Sequence, residues 1–310
     1  MRFVVIAIGS DAAAGAEARA HPDALDAALE ASLRAAGATV IELAPRGATR
    51  VALVEDGGAA GGGEPSPRLR ARELRRAVSE HLRGAGLAVD VAAQPAAGRM
   101  APRLLVMDVD STLIQIEVID ELARRHGVGA AVAEVTERAM RGELDFEASL
   151  RARVSKLAGL RAEALTELAA ELPLSPGAER LVSELLARGA EVAIASGGFT
   201  FATEVLRRRL GLTAAFANEL EVQGGVVTGR VVGPVVTAER KAEIVGELAR
   251  RRGLAAAETV AIGDGANDRA MLAAAGFGIA FRGKPALVAV ADAAIDHGGL
   301  DRALEFLPSP

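Results

Sequence analysis

The amino-acid sequence predicts an α/β protein in which a small α+β domain precedes a doubly wound parallel sheet with a helical cap insertion. Three observations predict this fold. From residue 98 to residue 310, short and almost wholly apolar segments alternate with helical segments, as expected for strands covered by helices on both faces. At about residues 117–174, four helical segments follow one another without a strand between them. Residues 1–97 follow a different order, βαββαβ.

The βαββαβ order of residues 1–97 is that of a ferredoxin-like domain. Its strand candidates are RFVVIAI, TVIELA, ATRVALVE and LAVDVAA, and its helix candidates are PDALDAALEASLRAAG and RLRARELRRAVSEHLRGAG. The Gly/Pro-rich segment DGGAAGGGEPSP is predicted to be a flexible loop. It is not a phosphate-binding P-loop, because no Gly-Lys-Ser/Thr follows the glycines.

The second domain, residues 98–310, has four strand candidates: RLLVMDV, EVAIAS, ETVAIGD and FGIAF. Three of them run into polar clusters, DVDST, SGGFT and GDGANDRAM. Ligands of doubly wound sheets bind at the carboxyl ends of the strands, so these clusters are expected to converge on one site. A separate segment, NELEVQGGVVTGRVVG, alternates with period two around Gly224 and Gly225 and is predicted to form a hairpin.

The composition excludes several classes of function. The chain has no cysteine, which removes disulfides, thiolate nucleophiles and zinc–sulfur sites. A net charge of −5 and the absence of Trp and Tyr argue against a nucleic-acid partner. No apolar stretch approaches the roughly 18 residues of a membrane span, and the apolar run before Gly9 is at the short limit for a signal peptide. We therefore expect a cytoplasmic protein without a membrane partner.

Asp108 and Asp110 lie one residue apart at the end of a predicted buried strand. Two adjacent buried carboxylates are costly unless a cation or a shared proton stabilises them. A hard divalent cation such as Mg²⁺ accepts carboxylate oxygens, and Asp264 and Asp268 can supply more of them from another strand end. Lys241 can bring a positive charge to a phosphate.

Ser196, Gly197 and Gly198 offer a hydroxyl and exposed backbone N–H groups, which bind phosphate oxygens well at a helix N-terminus. Each feature alone is weak, because an isolated DxD pair is usually a surface turn and an SGG segment usually a loop. Their order, DxDST, SGG, lysine and GDGxND, favours one combined metal and phosphate site.

In this order of motifs the segment from Leu104 to about Leu307 resembles the haloacid dehalogenase-superfamily phosphatases, and within them the phosphoserine phosphatase family. The resemblance rests on DVDSTLIQIEVIDELA, MRGELDFEASLRARV, ASGGF, the helix containing Lys241 and GDGANDRAML. It implies a haloacid dehalogenase-like sheet with a cap at about residues 117–174. Residues 1–97 resemble, more loosely, the ACT-like regulatory domains that some relatives carry.

The resemblance implies a role for each motif residue. Asp108 would be the nucleophile that forms an aspartyl-phosphate, and Asp110 the acid that protonates the leaving oxygen and then the base that activates water. Ser196, the Gly197 backbone and Lys241 would hold the phosphoryl oxygens.

The implied cofactor is Mg²⁺, although oxygen-rich sites also accept Mn²⁺. It would be bound by Asp108, Asp264 and the backbone carbonyl of Asp110. Asn267 and Asp268 would orient these ligands or the phosphate.

The implied substrate is phosphoserine. Glu117 and Arg153 would bind its ammonium and carboxylate groups, since the planar arginine fork suits a carboxylate. Phe146 and Met140 would pack around the site and exclude water. Spacing alone favours another interpretation, in which Glu117 and Arg153 are solvated helix charges and Phe146 and Met140 belong to the core of the cap. Only the resemblance reverses that interpretation.

Two other functions stay open from the sequence: a related phosphatase or phosphotransferase acting on another small phosphomonoester, and a non-catalytic phosphate or amino-acid sensor. The four residues Asp108, Asp110, Lys241 and Asp264 argue against the sensor, which needs no nucleophile. Residues 1–97 could bind an amino acid, mediate a homodimer or serve as a structural appendage, and we favour the subunit contact.

Overall fold

One sheet of eleven strands runs through the computed structural model, which describes residues 1–9, 22–57 and 66–308. The strands are β1 (Arg2–Gly9), β2 (Ala38–Arg46), β3 (Thr49–Asp56), β4 (Val89–Pro95), β5 (Leu104–Met107), β6 (Glu191–Phe199), β7 (Ala214–Gln223), β8 (Val226–Val232), β9 (Thr259–Gly263), β10 (Phe277–Phe281) and β11 (Ala293–Ile295). Their spatial order is β2-β3-β1-β4-β11-β10-β9-β5-β6-β7-β8.

Twelve α-helices accompany these strands in the described part of the chain. They are α1 (Pro22–Ala35), α2 (Pro67–Gly84), α3 (Val118–His126), α4 (Gly129–Met140), α5 (Phe146–Ser155), α6 (Ala162–Ala170), α7 (Ala178–Ala187), α8 (Thr200–Leu210), α9 (Ala238–Arg252), α10 (Arg269–Ala274), α11 (Pro285–Val288) and α12 (Ala303–Phe306). None of the described helices is long and apolar enough to cross a membrane.

The six strands from β11 to β7 pair in parallel, which confirms the predicted doubly wound sheet. β5 shows why its sequence is apolar throughout. Leu105 and Met107 pack on one face with residues of α3, α7 and α8, whereas Leu104 and Val106 pack on the other face with residues of α9 and α10. Both faces of the strand are therefore covered, as its continuous apolar run predicts.

Helices α3 to α6 follow β5 without an intervening strand and form the predicted helical insertion. The predicted hairpin is also present, because β7 and β8 pair antiparallel. Its turn is made by Gly224 and Gly225, whose φ angles of 60° and 79° lie in the left-handed region that a two-residue hairpin turn requires.

The N-terminal unit, which comprises β1 to β4 with α1 and α2, has the predicted βαββαβ order. β1 pairs antiparallel with both β3 and β4, and β2 pairs with β3 at the end of the sheet. Its relation to ferredoxin-like and ACT-like domains stays a prediction. Most of the predicted glycine-rich loop, at residues 58–65, lies outside the described residues.

The N-terminal unit joins the rest of the chain through the sheet itself. β4 pairs antiparallel with β11, a three-residue strand that the sequence did not reveal. Beside this pairing, Arg68 and Arg72 donate hydrogen bonds to the buried carboxylate of Asp292 at distances down to 2.6 and 2.7 Å. The domain division after residue 97 stays a prediction, but the strands on both sides of it belong to one sheet.

Candidate active site

The carboxyl ends of β5, β6 and β9 bring the three polar clusters together, as the sequence predicts. Asp108 follows β5, Ser196 lies near the end of β6 and Asp264 follows β9. The pairing of β6 with β7 is interrupted between Ala195 and Phe199, so the Ser-Gly-Gly segment leaves the regular ladder. Its backbone groups are thereby freed from strand pairing at the edge where the site lies.

Lys241 is the buried cation of this site. Its ammonium lies 2.7 Å from Asp108 Oδ1 and 2.8 Å from Asp268 Oδ1, and the residue is 1% exposed. Burial lowers the pKa of Lys241, but the two carboxylates outweigh burial, so the net pKa lies above its usual value. Lys241 therefore stays charged and stabilises two buried carboxylates that would otherwise repel each other.

Three buried carboxylates, those of Asp108, Asp264 and Asp268, have oxygens within 4.8 Å of one another. Burial, and then the charge of Asp268, raise the pKa of Asp108 well above its usual value and that of Asp264 to about 6. The single positive charge of the buried Lys241 ammonium cannot offset the charge of three ionised carboxylates. Oxygen ligands with uncompensated negative charge fit a hard divalent cation.

Asp268 lies close to this group, but both of its oxygens already have partners. Oδ1 binds Lys241, and Oδ2 accepts the backbone N–H groups of Asp264 and Gly265, each at 3.1 Å. This arrangement orients the turn that carries Asp264. The geometry suits the orienting role implied for Asp268 better than direct metal ligation.

Asp110 has a hydrogen-bond donor at each carboxylate oxygen. Val118 N–H donates to Oδ1 at 2.8 Å, and the Ser196 hydroxyl donates to Oδ2 at 3.2 Å. Burial, followed by repulsion from Glu117, raises the pKa of Asp110 to about 6, despite the opposing effect of these hydrogen bonds. A carboxyl group with a pKa near neutrality can give and take a proton, as general acid–base catalysis requires.

Gly198 allows the Ser-Gly-Gly segment to approach Asp110 closely. A Cβ atom at Gly198 would lie 2.6 Å from Asp110 Oδ2 and 2.9 Å from Ser196 Oγ, closer than a carbon atom can approach. The Gly198 N–H donates to Ser196 Oγ at 2.8 Å. Any larger residue at this position would displace the carboxyl group or the hydroxyl.

A cavity of about 490 Å³ lies between the cap helices and the strand ends. The predicted site residues that line it are Asp108, Asp110, Glu117, Met140, Phe146, Arg153, Gly197, Asp264 and Asn267. Three other predicted residues do not line the cavity. Ser196 contacts Asp110, Lys241 contacts Asp108, and Asp268 contacts Lys241. One cavity therefore brings together the predicted catalytic, metal-binding and substrate-binding groups.

Arg153 and Glu117 lie on the cap side of this cavity, and both can form further hydrogen bonds with a ligand. Arg153 Nε is buried without a hydrogen-bond partner, and burial lowers the pKa of the guanidinium. One oxygen of Glu117, Oε1, accepts the hydroxyl of Ser111 at 2.7 Å. A buried N–H group without an acceptor is costly, which makes Arg153 suitable for an anionic ligand.

Phe146 and Met140 differ in how they contribute to the cavity. Phe146 packs against the Ser-Gly-Gly segment, where a Cβ atom on Gly197 would lie 2.8 Å from Phe146 Cζ. Met140, at the end of α4, lines the cavity but is 83% exposed. In this structure Met140 therefore does not shield the site from water, and its packing role stays a prediction.

Lys284 and Asn218 are polar residues of the site that were not predicted. Lys284 lines the cavity, with Nζ 3.8 Å from Asp264 Oδ2, and its backbone N–H donates to the Asp264 carbonyl at 2.8 Å. The sequence feature that could have indicated Lys284 is FRGKP, a polar cluster after the fourth strand candidate. Asn218, 1% exposed, donates to the carbonyls of Gly197 and Gly198 at 2.8 and 3.1 Å. No sequence motif indicated a role for Asn218 in the site, because it is the first residue of the predicted hairpin segment.

Comparison with known proteins defines the class. The family model of haloacid dehalogenase-like hydrolases matches residues 102–276, and the chain belongs to this family of hydrolases. The site described above lies within the matched residues, apart from Lys284.

The particular relatives are phosphoserine phosphatases. The chain is 45% identical to that of Archaeoglobus fulgidus over 231 residues, which cover 74% of this chain and 67% of the relative. It is 52% identical to that of Vibrio cholerae over 199 residues, 64% of this chain and 61% of the relative. The chain thus spans about two thirds or less of the length of these curated relatives.

A solved structure extends the likeness over nearly the whole chain. The unliganded crystal structure of a probable phosphoserine phosphatase from Vibrio cholerae superposes with a TM-score of 0.71 at 38% identity. The match covers 98% of this chain and 85% of that one. The likeness in fold therefore includes the N-terminal unit.

Proposed function

We propose that the protein hydrolyses O-phospho-L-serine to L-serine and phosphate, the last step of serine biosynthesis. The observation that carries this proposal is the unpartnered, buried Nε of Arg153, which shares one cavity with Glu117 and with the aspartates at the end of β5. A substrate with a carboxylate, an ammonium and a phosphate matches these three features. The likeness to curated phosphoserine phosphatases supports the same substrate.

In the first step, an Asp108 carboxylate oxygen attacks phosphorus and the bond from phosphorus to the serine oxygen breaks. Asp110 gives its proton to that leaving oxygen, for which a pKa near 6 is suitable. The products of this step are serine and an aspartyl-phosphate. Covalent catalysis divides a difficult hydrolysis into two easier steps.

In the second step, Asp110, now a carboxylate, takes a proton from water as the water oxygen attacks phosphorus. The bond between phosphorus and Asp108 breaks, which releases phosphate and restores the carboxylate. Lys241, Ser196 and the Gly197 backbone hold the phosphoryl oxygens in both steps. Fixed donors of this kind supply much of the stabilisation in phosphoryl transfer.

The proposed cofactor is Mg²⁺, with the carboxylates of Asp108 and Asp264 and the backbone carbonyl of Asp110 as its protein ligands. When bound, the ion would offset carboxylate charge and withdraw negative charge from the phosphoryl oxygens. The close approach of the Asp108, Asp264 and Asp268 carboxylates, with oxygens within 4.8 Å of one another, supports a cation at this place.

Selectivity for the amino acid is assigned to the cap. The two N–H groups of a guanidinium fork can bind both oxygens of the substrate carboxylate, while Glu117 binds the ammonium. Phe146, packed against the Ser-Gly-Gly segment, would close one side of the cavity around the serine carbon atoms.

The decisive experiment compares phosphate release from L-phosphoserine, phosphothreonine and an aryl phosphate, in Mg²⁺ and in EDTA. Asp108→Asn should abolish turnover of all three. Arg153→Ala should lower kcat/KM for phosphoserine roughly 100-fold relative to the aryl phosphate, since a hydrogen bond to a charged group contributes about 1.5–3 kcal/mol. Equal effects on the two substrates would refute the amino-acid assignment.

A matched control for Arg153 lies two residues earlier on the same helix. Arg151 pairs with Glu147 at 2.7 Å near the surface and does not line the cavity. Arg151→Ala should leave the ratio of phosphoserine to aryl phosphate turnover unchanged. A loss of the same size in both variants would indicate damage to α5 rather than loss of a substrate contact.

We further propose a homodimer formed through the N-terminal unit. β2 is the outermost strand at its end of the described sheet, and an unpaired strand edge favours pairing with another chain. Ile41 on β2 is 45% exposed. Ile41→Lys should convert a dimer into a monomer in light scattering, and an unchanged dimer would contradict this contact.

The cytoplasmic location stays a prediction from the sequence.

A further inference from the structure

We propose that Ser111 is a positioning residue that orients Glu117 towards the ammonium group of the substrate. This inference rests on the proposed function and adds a specificity residue to it. Ser111 does not line the cavity, so it would act through Glu117 rather than by touching the substrate.

The backbone of Ser111 is in a conformation that disfavours a side chain. Its φ and ψ angles are 56° and 3°, in the left-handed region. Among the described residues only Ser111 and Arg282 combine a positive φ with a residue other than glycine. Glycine would adopt this conformation without the cost of roughly 1 kcal/mol that other residues incur. Strain of this kind is found where a side chain serves a function.

The hydroxyl group provides that function. Ser111 Oγ donates a hydrogen bond of 2.7 Å to Glu117 Oε1. Glu117 is the N-cap residue of α3, but its side chain does not cap the helix. The contact therefore holds one carboxylate oxygen and leaves the other for a ligand. A hydrogen bond to a charged acceptor is among the stronger kinds, so it can restrict the rotamers of a long side chain.

The loop from Asp110 to Val118 is also closed by contacts that do not involve the hydroxyl. The Val118 N–H donates to Asp110 Oδ1 at 2.8 Å, and the Ser111 N–H donates to the Ile116 carbonyl at 3.3 Å. Loss of the hydroxyl therefore leaves the backbone of the loop held in place. The Glu117 side chain is the group that loses its restraint.

Two substitutions separate the hydroxyl from the strain. Ser111→Ala removes the hydroxyl and keeps the strained Cβ, whereas Ser111→Gly removes both. Selectivity, measured as kcat/KM for phosphoserine divided by kcat/KM for an aryl phosphate, should fall about tenfold in both variants, mainly through KM for phosphoserine. In chemical denaturation, Ser111→Gly should be more stable than Ser111→Ala because its backbone is unstrained.

A double-mutant cycle tests whether Ser111 acts through Glu117. In a Glu117→Gln background, Ser111→Ala should cause little further loss of selectivity, because coupled residues are not additive. Ser183 provides a matched control, since its hydroxyl donates to the Arg180 carbonyl on α7 and does not line the cavity. Ser183→Ala should leave selectivity unchanged.

Three outcomes are decisive. If the wild-type protein has no preference for phosphoserine, the proposed function itself fails. If the preference exists and Ser111→Ala keeps it, the positioning role of Ser111 is refuted while the function stands. If the losses from Ser111→Ala and Glu117→Gln are additive, Ser111 does not act through Glu117 and the inference is overturned.

Discussion

Replacement of Lys241 by methionine should destabilise the metal-free protein and increase the stabilisation by Mg²⁺. The ammonium contacts Asp108 at 2.7 Å and Asp268 at 2.8 Å, and all three residues are at most 3% exposed. Breaking a buried ion pair by removing one partner costs about 3–5 kcal/mol. Asp268 keeps its two backbone donors and Asp108 already has a raised pKa, so we expect a loss near the lower limit.

The assay is chemical denaturation in EDTA and again in excess Mg²⁺. An ion at 100 times its dissociation constant stabilises the folded state by about 2.7 kcal/mol, so Mg²⁺ should recover most of the loss. The stabilisation should exceed that of the wild-type protein, because in the variant no ammonium competes for Asp108. Under the proposed mechanism catalytic activity should stay low, since Lys241 would no longer donate to the phosphoryl oxygens.

Lys284 is the matched control for this substitution. It is also a lysine near the carboxylates, but its side chain is 69% exposed and lies 3.8 Å from Asp264. Lys284→Met should change the free energy of unfolding by less than about 1 kcal/mol, as for other exposed ion pairs. A loss of under about 1 kcal/mol for Lys241→Met in EDTA would refute the claim that Lys241 stabilises the buried carboxylates.

Three other substitutions test separate parts of the structure. The raised pKa of Asp110 means that the folded state holds its proton more tightly than the unfolded state, so stability should fall as pH rises from about 4 to about 6. Asp110→Asn should be inactive under the proposed mechanism. In EDTA at about pH 7.5 it should be more stable than the wild type by up to about 3 kcal/mol, with no difference below about pH 4. Asn218→Ala leaves two glycine carbonyls of the Ser-Gly-Gly segment without their donor, so denaturation should show a loss of about 2–4 kcal/mol. We also expect kcat to fall, because these hydrogen bonds hold the segment in place, and an unchanged kcat would contradict this. Asp292→Asn keeps an acceptor but removes the charge that Arg68 and Arg72 share, so we expect a loss of about 1–3 kcal/mol in one cooperative transition, and an early separate transition would show that the N-terminal unit unfolds alone.

Local features of the sequence were sufficient for the order and nature of most elements. The apolar run of β5, the four successive cap helices and the Gly224-Gly225 turn were all predicted with nearly their observed bounds. Each depends on periodicity or turn chemistry within about ten neighbouring residues, so no long-range information is needed. The convergence of three polar clusters also followed, because parallel strands end at the same edge of a sheet.

Other features depend on residues that are distant in sequence and could not be predicted from local patterns. The strand β11 is three residues long, and its existence depends on pairing with β4 and β10. Lys284 enters the site only because its loop lies beside Asp264. The strain at Ser111 depends on backbone angles that a serine in a DxDST motif does not reveal.

The sequence by itself thus determined which strands exist, where their polar ends lie and which chemical groups they carry. The tertiary structure decided which of these groups are buried together: it pairs Lys241 with two carboxylates and leaves Arg153 Nε without a partner. It also showed that the N-terminal unit extends the same sheet. The physical reason is that periodicity is a local property of the chain, whereas burial, charge pairing and pKa depend on contacts between segments that only folding brings together.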